Sequence, residues 1–141
     1  MVLDVGSGIR PMQWYAPVTH ICIEPYGPYA DVLEDAGYMV CRETAKRALR
    51  YCQGDAVYLL DVIEHMERHV GQCVIEMAVR AARCQVVIYT PMGFLEQTHD
   101  AWGMGGERWQ THRSGWTPSD FPGWDIETTD EGFFASWTRT E

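Results

Sequence analysis

Residues 2–8 read VLDVGSG, an apolar stretch that runs directly into a Gly-Ser-Gly turn. Glycines let the chain turn sharply, and without a side chain they allow a ligand to approach the backbone closely. In open parallel sheets, ligands bind beyond the carboxyl ends of the strands. The stretch therefore predicts a strand at the centre of a nucleotide-type binding sheet, followed by a binding loop at residues 6–8.

The rest of the chain alternates short apolar runs with helix-like segments, a pattern that predicts βαβ units and a parallel sheet. The apolar runs lack strict polar alternation, as expected for strands covered on both faces. We expect one α/β domain over residues 1–141, doubly wound and mostly parallel, with a C-terminal antiparallel hairpin that turns near residues 130–132. The predicted strands are 2–5, 18–23, 38–41, 56–60 and 85–89, and the predicted helices are 11–16, 28–36, 44–51 and 67–82.

Residues 91–123 form a long stretch with little predicted secondary structure, apart from one capped turn at 117–121. Such loops are usually functional or disordered, and this stretch holds Trp102, Trp109 and Trp116, which argues against disorder. We interpret it as a lid over the binding site for a second ligand.

Composition narrows the class of partner. Twenty acidic and 11 basic residues give a formal charge of −9, which disfavours a broad nucleic-acid or anionic-membrane surface. The sequence contains no apolar run near the roughly 20 residues of a membrane span, so we expect a cytoplasmic protein. Its five cysteines form no C-x-x-C pair, which disfavours a disulfide framework or a zinc knuckle.

Polar residues follow several predicted strands and should meet at one edge of the sheet. Glu24 ends the second strand, 18 residues beyond Gly6, where a carboxylate can accept hydrogen bonds from both ribose hydroxyls of a nucleoside. Asp61 ends the fourth strand. These positions together predict a nucleoside-type site.

The segment DVIEHMERH, residues 61–69, places two histidines four residues apart. A metal site is one interpretation of His65 and His69, but the sequence supplies no third ligand, so we expect no metal. His65 lies near the predicted ligand edge, where it would be either a general base or a residue that orders the loop.

VLDVGSG, Glu24 and DVIEH together resemble the S-adenosylmethionine-dependent methyltransferases with a Rossmann-like fold (class I). The run YTPMGFLEQ…HRSGWTPSDF is similar to a small bacterial or phage-type subgroup of unassigned substrate. The resemblance implies a seven-stranded sheet and S-adenosylmethionine as cofactor. It places Glu24 at the ribose, and it implies that further residues contact the cofactor: Asp4, Gly6, Ser7 and Gly8 at the methionine part, and Asp61 and Val62 near the sulfonium.

The sequence departs from that family in three ways. Ile9 and Arg10 stand in the region of the third glycine, and the residue near the adenine is unclear, with Glu43 and Thr44 as candidates. The helix that precedes the first strand in the family is missing, so we expect a fold truncated at the N-terminus. The bare sheet face would be covered by a repositioned segment or by self-association into a homo-oligomer.

The long loop supplies candidates for the second ligand, the methyl acceptor. Arginine forks bind carboxylates or phosphates, and aromatic faces suit sugars or rings. Alternatively, the tryptophans attach the loop to the sheet and the arginines pair with Asp100, Glu107 or Asp120. The candidate acceptor-binding residues are Arg108, His112, Arg113, Trp102 and Trp109, and the candidate bases are His65, His112 and, less directly placed, His99.

Three functions follow from these observations. The first is methyl transfer from S-adenosylmethionine to a small-molecule or carbohydrate-like (glycan) acceptor. The second is RNA methylation, and the third is a catalytically inactive cofactor-binding or partner subunit. The RNA hypothesis depends on a local basic face formed by Arg10, Arg42, Lys46, Arg47 and Arg50.

Overall fold

In the computed structural model, which describes residues 1–140, one seven-stranded sheet runs through the protein in the order β3-β2-β1-β4-β5-β7-β6. The first five strands are parallel, β7 is antiparallel to β5, and β6 is antiparallel to β7. The doubly wound, mostly parallel sheet with a C-terminal hairpin is therefore confirmed. The strands are β1 (Val2–Val5), β2 (His20–Ile23), β3 (Met39–Cys41), β4 (Gly54–Leu60), β5 (Ala82–Pro91), β6 (Asp125–Thr128) and β7 (Gly132–Thr138).

Most predicted helices are found near their expected positions. The helix predicted at 28–36 ends before Gly37, which has φ of 91°, a backbone conformation that favours glycine. The helix predicted at 44–51 is only one turn, and the long loop holds a short helix that its sequence did not indicate. The helices are α1 (Gly27–Asp35), α2 (Ala45–Ala48), α3 (Arg68–Ala81) and α4 (Glu107–Gln110), with 3-10 turns at Ile63–His65 and Pro118–Asp120.

The two faces of the sheet carry different cores because side chains alternate along each strand. In β4, Val57 and Leu59 belong to the larger core, which includes Trp116 and Phe133. Ala56 and Tyr58 point to the opposite face and join a smaller cluster. The sheet is thus covered on both sides, as its apolar strands predicted.

The prediction of a helix at residues 11–16 is wrong, since this segment forms neither helix nor strand. The Asp4 carboxylate accepts the N–H of Met12 at 2.6 Å, and the Tyr15 hydroxyl bonds that of Tyr58 at 2.8 Å. Met12 packs into the smaller cluster, and Trp14 lies edge-on to Tyr58. The segment is laid across the sheet because these tertiary contacts outweigh its local helical preference.

The same segment covers much of the sheet face that the sequence led us to expect bare. Met12 is only 4% exposed, and Trp14 also contacts Phe134 on β7. The repositioned segment that we considered for this face is therefore present, while self-association stays a prediction. Among the helices of these residues, none combines the length and apolarity that crossing a bilayer requires.

Truncating Met12 tests whether the segment is held by packing. We expect Met12→Ala to lower the free energy of unfolding by about 2 kcal/mol or more, because the buried side chain leaves a cavity. Met39→Ala is the matched control, since Met39 is 58% exposed and should change stability little. Urea denaturation followed by tryptophan fluorescence measures both, and equal losses in the two variants would contradict the packing role of Met12.

Candidate functional site

Parallel strand pairing brings three loops to one edge of the sheet. Val5, the last residue of β1, is in register with Ile23 of β2 and Leu59 of β4. The residues that follow these strands therefore lie side by side around a first cavity of about 410 Å³. The residues that line it at the strand ends are Gly6, Gly8, Glu24, Asp61 and Val62.

The glycine loop is held in a conformation and a space that exclude a side chain. Gly6 has φ of 65°, and a Cβ added there would come within 2.9 Å of Val62 Cγ2. Gly8 also has positive φ, at 57°, and the ring of Trp102 packs against it. At both positions a larger residue would collide with Val62 or Trp102, so close packing as well as backbone conformation requires glycine.

Glu24 connects the glycine loop to the start of α1. Its side chain is buried, with Oε2 accepting the N–H of Gly8 at 2.9 Å and Oε1 accepting that of Tyr26 at 2.9 Å. Burial raises the pKa of Glu24, although the hydrogen bonds from Tyr26 and Gly8 oppose the shift. Each carboxylate oxygen has a second lone pair, so Glu24 can still accept hydrogen bonds from two neighbouring hydroxyls.

The far side of the first cavity lies beyond β3. Thr44 and Ala45 line it there, at the start of α2, whereas Glu43 is not among its lining residues within 1–140. Of the two candidates for contact with an adenine ring, the structure thus brings only Thr44 to the cavity.

A second cavity of about 840 Å³ adjoins the first. Gly6, Asp61, His65 and Gln110 line both cavities and so form the junction between them. Gln110 was not predicted from the sequence, although it lies between the candidates Trp109 and His112, because a single glutamine forms no pattern that marks it as a site residue. Further residues lining the second cavity include Ser7, Arg10, Trp14, Tyr89, Leu95, Trp102, His112 and Glu131.

Two histidines meet at this junction. The rings of His65 and His112 lie with centroids 4.9 Å apart, and His112 Nδ1 bonds the carbonyl oxygen of Leu95 at 2.6 Å. Burial, together with His112, lowers the pKa of His65 to about 4, so this imidazole is neutral at pH 7. His69 is exposed on α3, so the structure pairs His65 with His112 and not with His69.

Glu64, also missed in the sequence, lies beside the histidine pair. It is 2% exposed, its Oε2 accepts the Thr90 hydroxyl at 3.2 Å, and its Oε1 has no hydrogen-bond partner. Burial and the nearby Asp61 carboxylate raise the pKa of Glu64. The only sequence signal for Glu64 was its place next to His65 after a strand.

The structure divides the predicted acceptor-binding residues between the two cavities. Arg108, Trp109 and Arg113 line the first cavity, while Trp102 and His112 line the second. The five residues thus do not line one common cavity, because Arg108 and Trp109 of the one-turn helix α4 line the same cavity as the glycine loop, and their role at an acceptor stays a prediction.

Some other candidates serve the fold. Asp4 is buried, and its Oδ2 bonds Met12 N–H and His20 Nε2, so within 1–140 it does not line either cavity. Trp116 is 1% exposed and belongs to the larger core. For Trp116, the alternative that tryptophans attach the loop to the sheet is therefore the correct one.

Within residues 1–140, Arg108 and Arg113 form no salt bridge with the carboxylates that the sequence analysis considered, those of Asp100, Glu107 and Asp120. The guanidinium of Arg108 lies 5.3 Å from the ring centroid of Trp109, and Arg113 donates to the carbonyl of Arg108 at 3.0 Å. Asp120 instead bonds Arg68. Within residues 1–140, Arg108 and Arg113 form no salt bridge, so both positive charges remain available at the first cavity.

The basic face considered for RNA is partly neutralised. Arg42 pairs with Asp31 at 2.6 Å and with Glu34 at 2.8 Å, and Arg47 pairs with Glu43 at 3.1 Å. Charges that are paired on the surface contribute less to the positive field that a phosphate backbone needs.

Asp100 organises the part of the loop that leads to α4. Its carboxylate accepts backbone N–H groups of Trp102 at 2.8 Å, Met104 at 2.8 Å and Gly106 at 3.0 Å. Burial alone would raise the pKa of Asp100, but the nearby Tyr29 hydroxyl and the hydrogen bonds from these N–H groups lower it to about 2. This carboxylate thus fixes Trp102 against the glycine loop.

Comparisons with known proteins show which class of proteins shares this fold. Neither the protein-family models nor the curated proteins contain a match to the chain. Solved structures do match, and the fold is that of the class I, Rossmann-like S-adenosylmethionine-dependent methyltransferases, as the sequence resemblance implied.

Three structures illustrate the likeness. Magnesium protoporphyrin IX methyltransferase from Synechocystis PCC 6803, with bound SAM, has a TM-score of 0.68 at 13% identity, over 99% of this chain and 69% of that one. An O-methyltransferase family protein from Burkholderia thailandensis has a TM-score of 0.70 at 11% identity, over 99% of this chain and 50% of that one. A SAM-dependent methyltransferase from Archaeoglobus fulgidus has a TM-score of 0.67 at 12% identity, over 98% of this chain and 85% of that one.

Replacing Asp100 tests its control of the loop. Because its pKa in the folded protein lies below the value of about 3.9 in an unfolded chain, its charge stabilises the fold fully above that value. This contribution is lost as the pH falls toward 2. We expect wild type to lose more stability than Asp100→Asn between about pH 5 and about pH 2.

Urea denaturation at several pH values measures the difference. Asp125→Asn, at an exposed position on β6, is the matched control and should follow wild type. Parallel pH profiles for wild type and Asp100→Asn would contradict the role of the Asp100 charge.

Proposed function

We propose that this protein is an enzyme that transfers a methyl group from S-adenosylmethionine to an acceptor held in the second cavity. The observation that carries the proposal is the junction at Gly6, Asp61, His65 and Gln110, through which two cavities meet. Two ligands seated in adjoining cavities can react only where the cavities join, and methyl transfer needs that kind of contact between donor and acceptor.

The first cavity suits a nucleoside. Glu24 has free lone pairs for two ribose hydroxyls, and Thr44 lines the same cavity beyond β3, where the base would lie. Gly6 and Gly8 also line this cavity and present backbone without a side chain to a ligand. The related folds from Synechocystis, in complexes with SAM and with SAH, support the same cofactor here.

Other predicted cofactor residues fit this arrangement. Gly8, Asp61 and Val62 line the first cavity, and Ser7 faces the second, where the methionine part would extend. Arg108 and Arg113 line the first cavity and bring positive charge to it. For Asp4 we propose an indirect role instead of direct contact with the methionine part. Its carboxylate accepts the Met12 N–H and so fixes the segment after the glycine loop.

Catalysis requires mainly alignment. The sulfonium of S-adenosylmethionine supplies the reactive methyl group, whose bond to sulfur breaks as the bond to the acceptor forms. The chain's contribution is to hold both molecules at the junction, and positioning of this kind is worth roughly 7–11 kcal/mol in favourable cases. Asp61 and His65 line both cavities and would contact the reacting region.

The second cavity suits a small-molecule or carbohydrate-like acceptor. Its volume of about 840 Å³ is in the range of sites for small organic ligands. Trp14, Tyr89 and Trp102 offer aromatic faces that pack well on rings and sugars. Glu131 and Gln97 add polar groups that can fix the orientation of acceptor hydroxyls.

Glu24→Gln tests the cofactor site. The variant keeps an acceptor oxygen but loses the charge, and hydrogen bonds to charged groups are worth about 1.5–3 kcal/mol. We therefore expect affinity for S-adenosylhomocysteine, measured by calorimetry, to fall about 10- to 100-fold. Glu76→Gln, at a side chain 68% exposed on α3, is the control and should bind like wild type.

Two results would speak against the proposal. Unchanged affinity in Glu24→Gln would remove the ribose assignment. Tight binding of the cofactor without methyl release to any small-molecule or carbohydrate pool would instead favour the inactive-subunit alternative.

A further inference from the structure

Three potential metal ligands from two separate segments meet on the wall of the second cavity. Glu64 and His65 belong to the 3-10 turn after β4, and His112 lies in the loop after α4. One ligand atom from each residue lies within 4.8 Å of the others. Ligand atoms around a tetrahedral zinc-sized ion are about 3.4 Å apart at usual bond lengths, so side-chain rotations that bring the three atoms closer together would close the site.

We propose that Glu64, His65 and His112 bind a divalent transition-metal ion. The proposal departs from our sequence-based expectation of no metal, which considered His65 with His69 and lacked a third ligand. The fold supplies the third ligand from a distant part of the chain.

Unpaired buried atoms point to a missing partner. Within residues 1–140, Glu64 Oε1 and His65 Nδ1 are both buried without a hydrogen-bond partner, and Glu64 is only 2% exposed. Most buried polar groups in native proteins are paired, and an ionised buried carboxylate is costly unless a proton or a positive charge compensates it. Glu64 forms no salt bridge within these residues, so a cation bound at Oε1 would compensate its charge and give both unpaired atoms a partner.

The surrounding groups orient the ligands. If His112 Nδ1 donates its proton to the Leu95 carbonyl at 2.6 Å, the lone pair lies on Nε2, which is the form that binds metals. The Thr90 hydroxyl donates to Glu64 Oε2 at 3.2 Å and leaves Oε1 free. Hydrogen bonds of this kind commonly fix metal-binding histidines and carboxylates.

The donor set selects the class of metal. Two imidazoles and one carboxylate suit Zn²⁺, Mn²⁺ or Co²⁺, whereas Mg²⁺ and Ca²⁺ prefer oxygen ligands alone. A second cluster, Asp4, His20 and Cys22, meets the same distance criterion, but within residues 1–140 none of its side-chain oxygen or nitrogen atoms is buried without a hydrogen-bond partner. There the carboxylate Oδ2 already accepts the Met12 N–H and contacts His20 Nε2, so no unpaired group calls for a cation.

The site faces the acceptor. His65 and His112 line the second cavity, as does Asp61 beside them. Three protein ligands leave coordination positions open, and a metal with open positions binds a substrate oxygen and lowers its pKa. This role in deprotonating and holding an acceptor hydroxyl rests on the proposed methyl transfer, whereas binding of the metal does not.

Metal titration of the full chain tests the site. We expect one Co²⁺ per chain by visible absorption and by calorimetry, with Mg²⁺ binding much more weakly. His112→Ala should weaken Co²⁺ binding at least about tenfold, as expected for loss of a ligand. His99→Ala, at an exposed histidine of the same loop, is the matched control and should bind like wild type.

A second variant guards against a folding defect. Glu64→Gln keeps the shape of the side chain and should also weaken Co²⁺ binding, while circular dichroism verifies that both variants are folded. Absence of stoichiometric Co²⁺ binding to wild type, or equal binding by wild type, His112→Ala and Glu64→Gln, would overturn the proposal.

Cofactor binding separates this proposal from the proposed function. Wild-type protein that binds S-adenosylhomocysteine but not Co²⁺ retains the methyl-transfer proposal and loses the metal site. Protein that binds Co²⁺ through His112 but not S-adenosylhomocysteine retains the metal site and loses the proposed function.

Discussion

The parallel pairing of β1 with both β2 and β4 is the constraint on which the site depends. It aligns the carboxyl ends of three strands, so the turns that follow them must share one edge of the sheet. Gly6, Glu24 and Asp61 are neighbours for this reason alone, although 18 and 37 residues separate the second and third from their predecessors along the chain. Any change of register in β1 would move the glycine loop away from the other two.

Two buried carboxylates near this edge differ in how they are satisfied. Glu24 accepts two backbone N–H groups, which holds the glycine loop against α1 and keeps lone pairs free for a ligand. Glu64 accepts only the hydroxyl of Thr90 and leaves one oxygen unpaired. Both oxygens of Glu24 have a hydrogen-bond partner without a ligand. An unpaired buried oxygen such as Glu64 Oε1 is rare in native proteins and is typical of a site that binds an ion, a water or a ligand. The contrast separates a nucleoside-type cavity from a candidate metal site at its junction with the second cavity.

The segment after the glycine loop links the binding edge to the stability of the sheet. Asp4 fixes the N–H of Met12, and Met12 and Trp14 then cover the face opposite the larger core. The local pattern of residues 11–16 predicted a helix, and this prediction was wrong. A local pattern shows that these residues can form a helix, but it does not show which tertiary contacts compete with the helix. Packing on Tyr58 and Phe134 decides the outcome, and these partners lie 44 or more residues away.

Local patterns were sufficient for the order and type of most elements, for the glycine loop and for the carboxylate at Glu24. Apolar periodicity and turn chemistry are properties of neighbouring residues, and parallel strands place their ends predictably. They could not show that His65 meets His112, that Glu64 is buried beside both, or that Arg108 and Trp109 turn back to the first cavity. Those placements depend on how a long loop folds over the sheet, held by Asp100 and Trp116. Contacts between distant residues are decided only when the whole chain packs, because no local pattern records the partner.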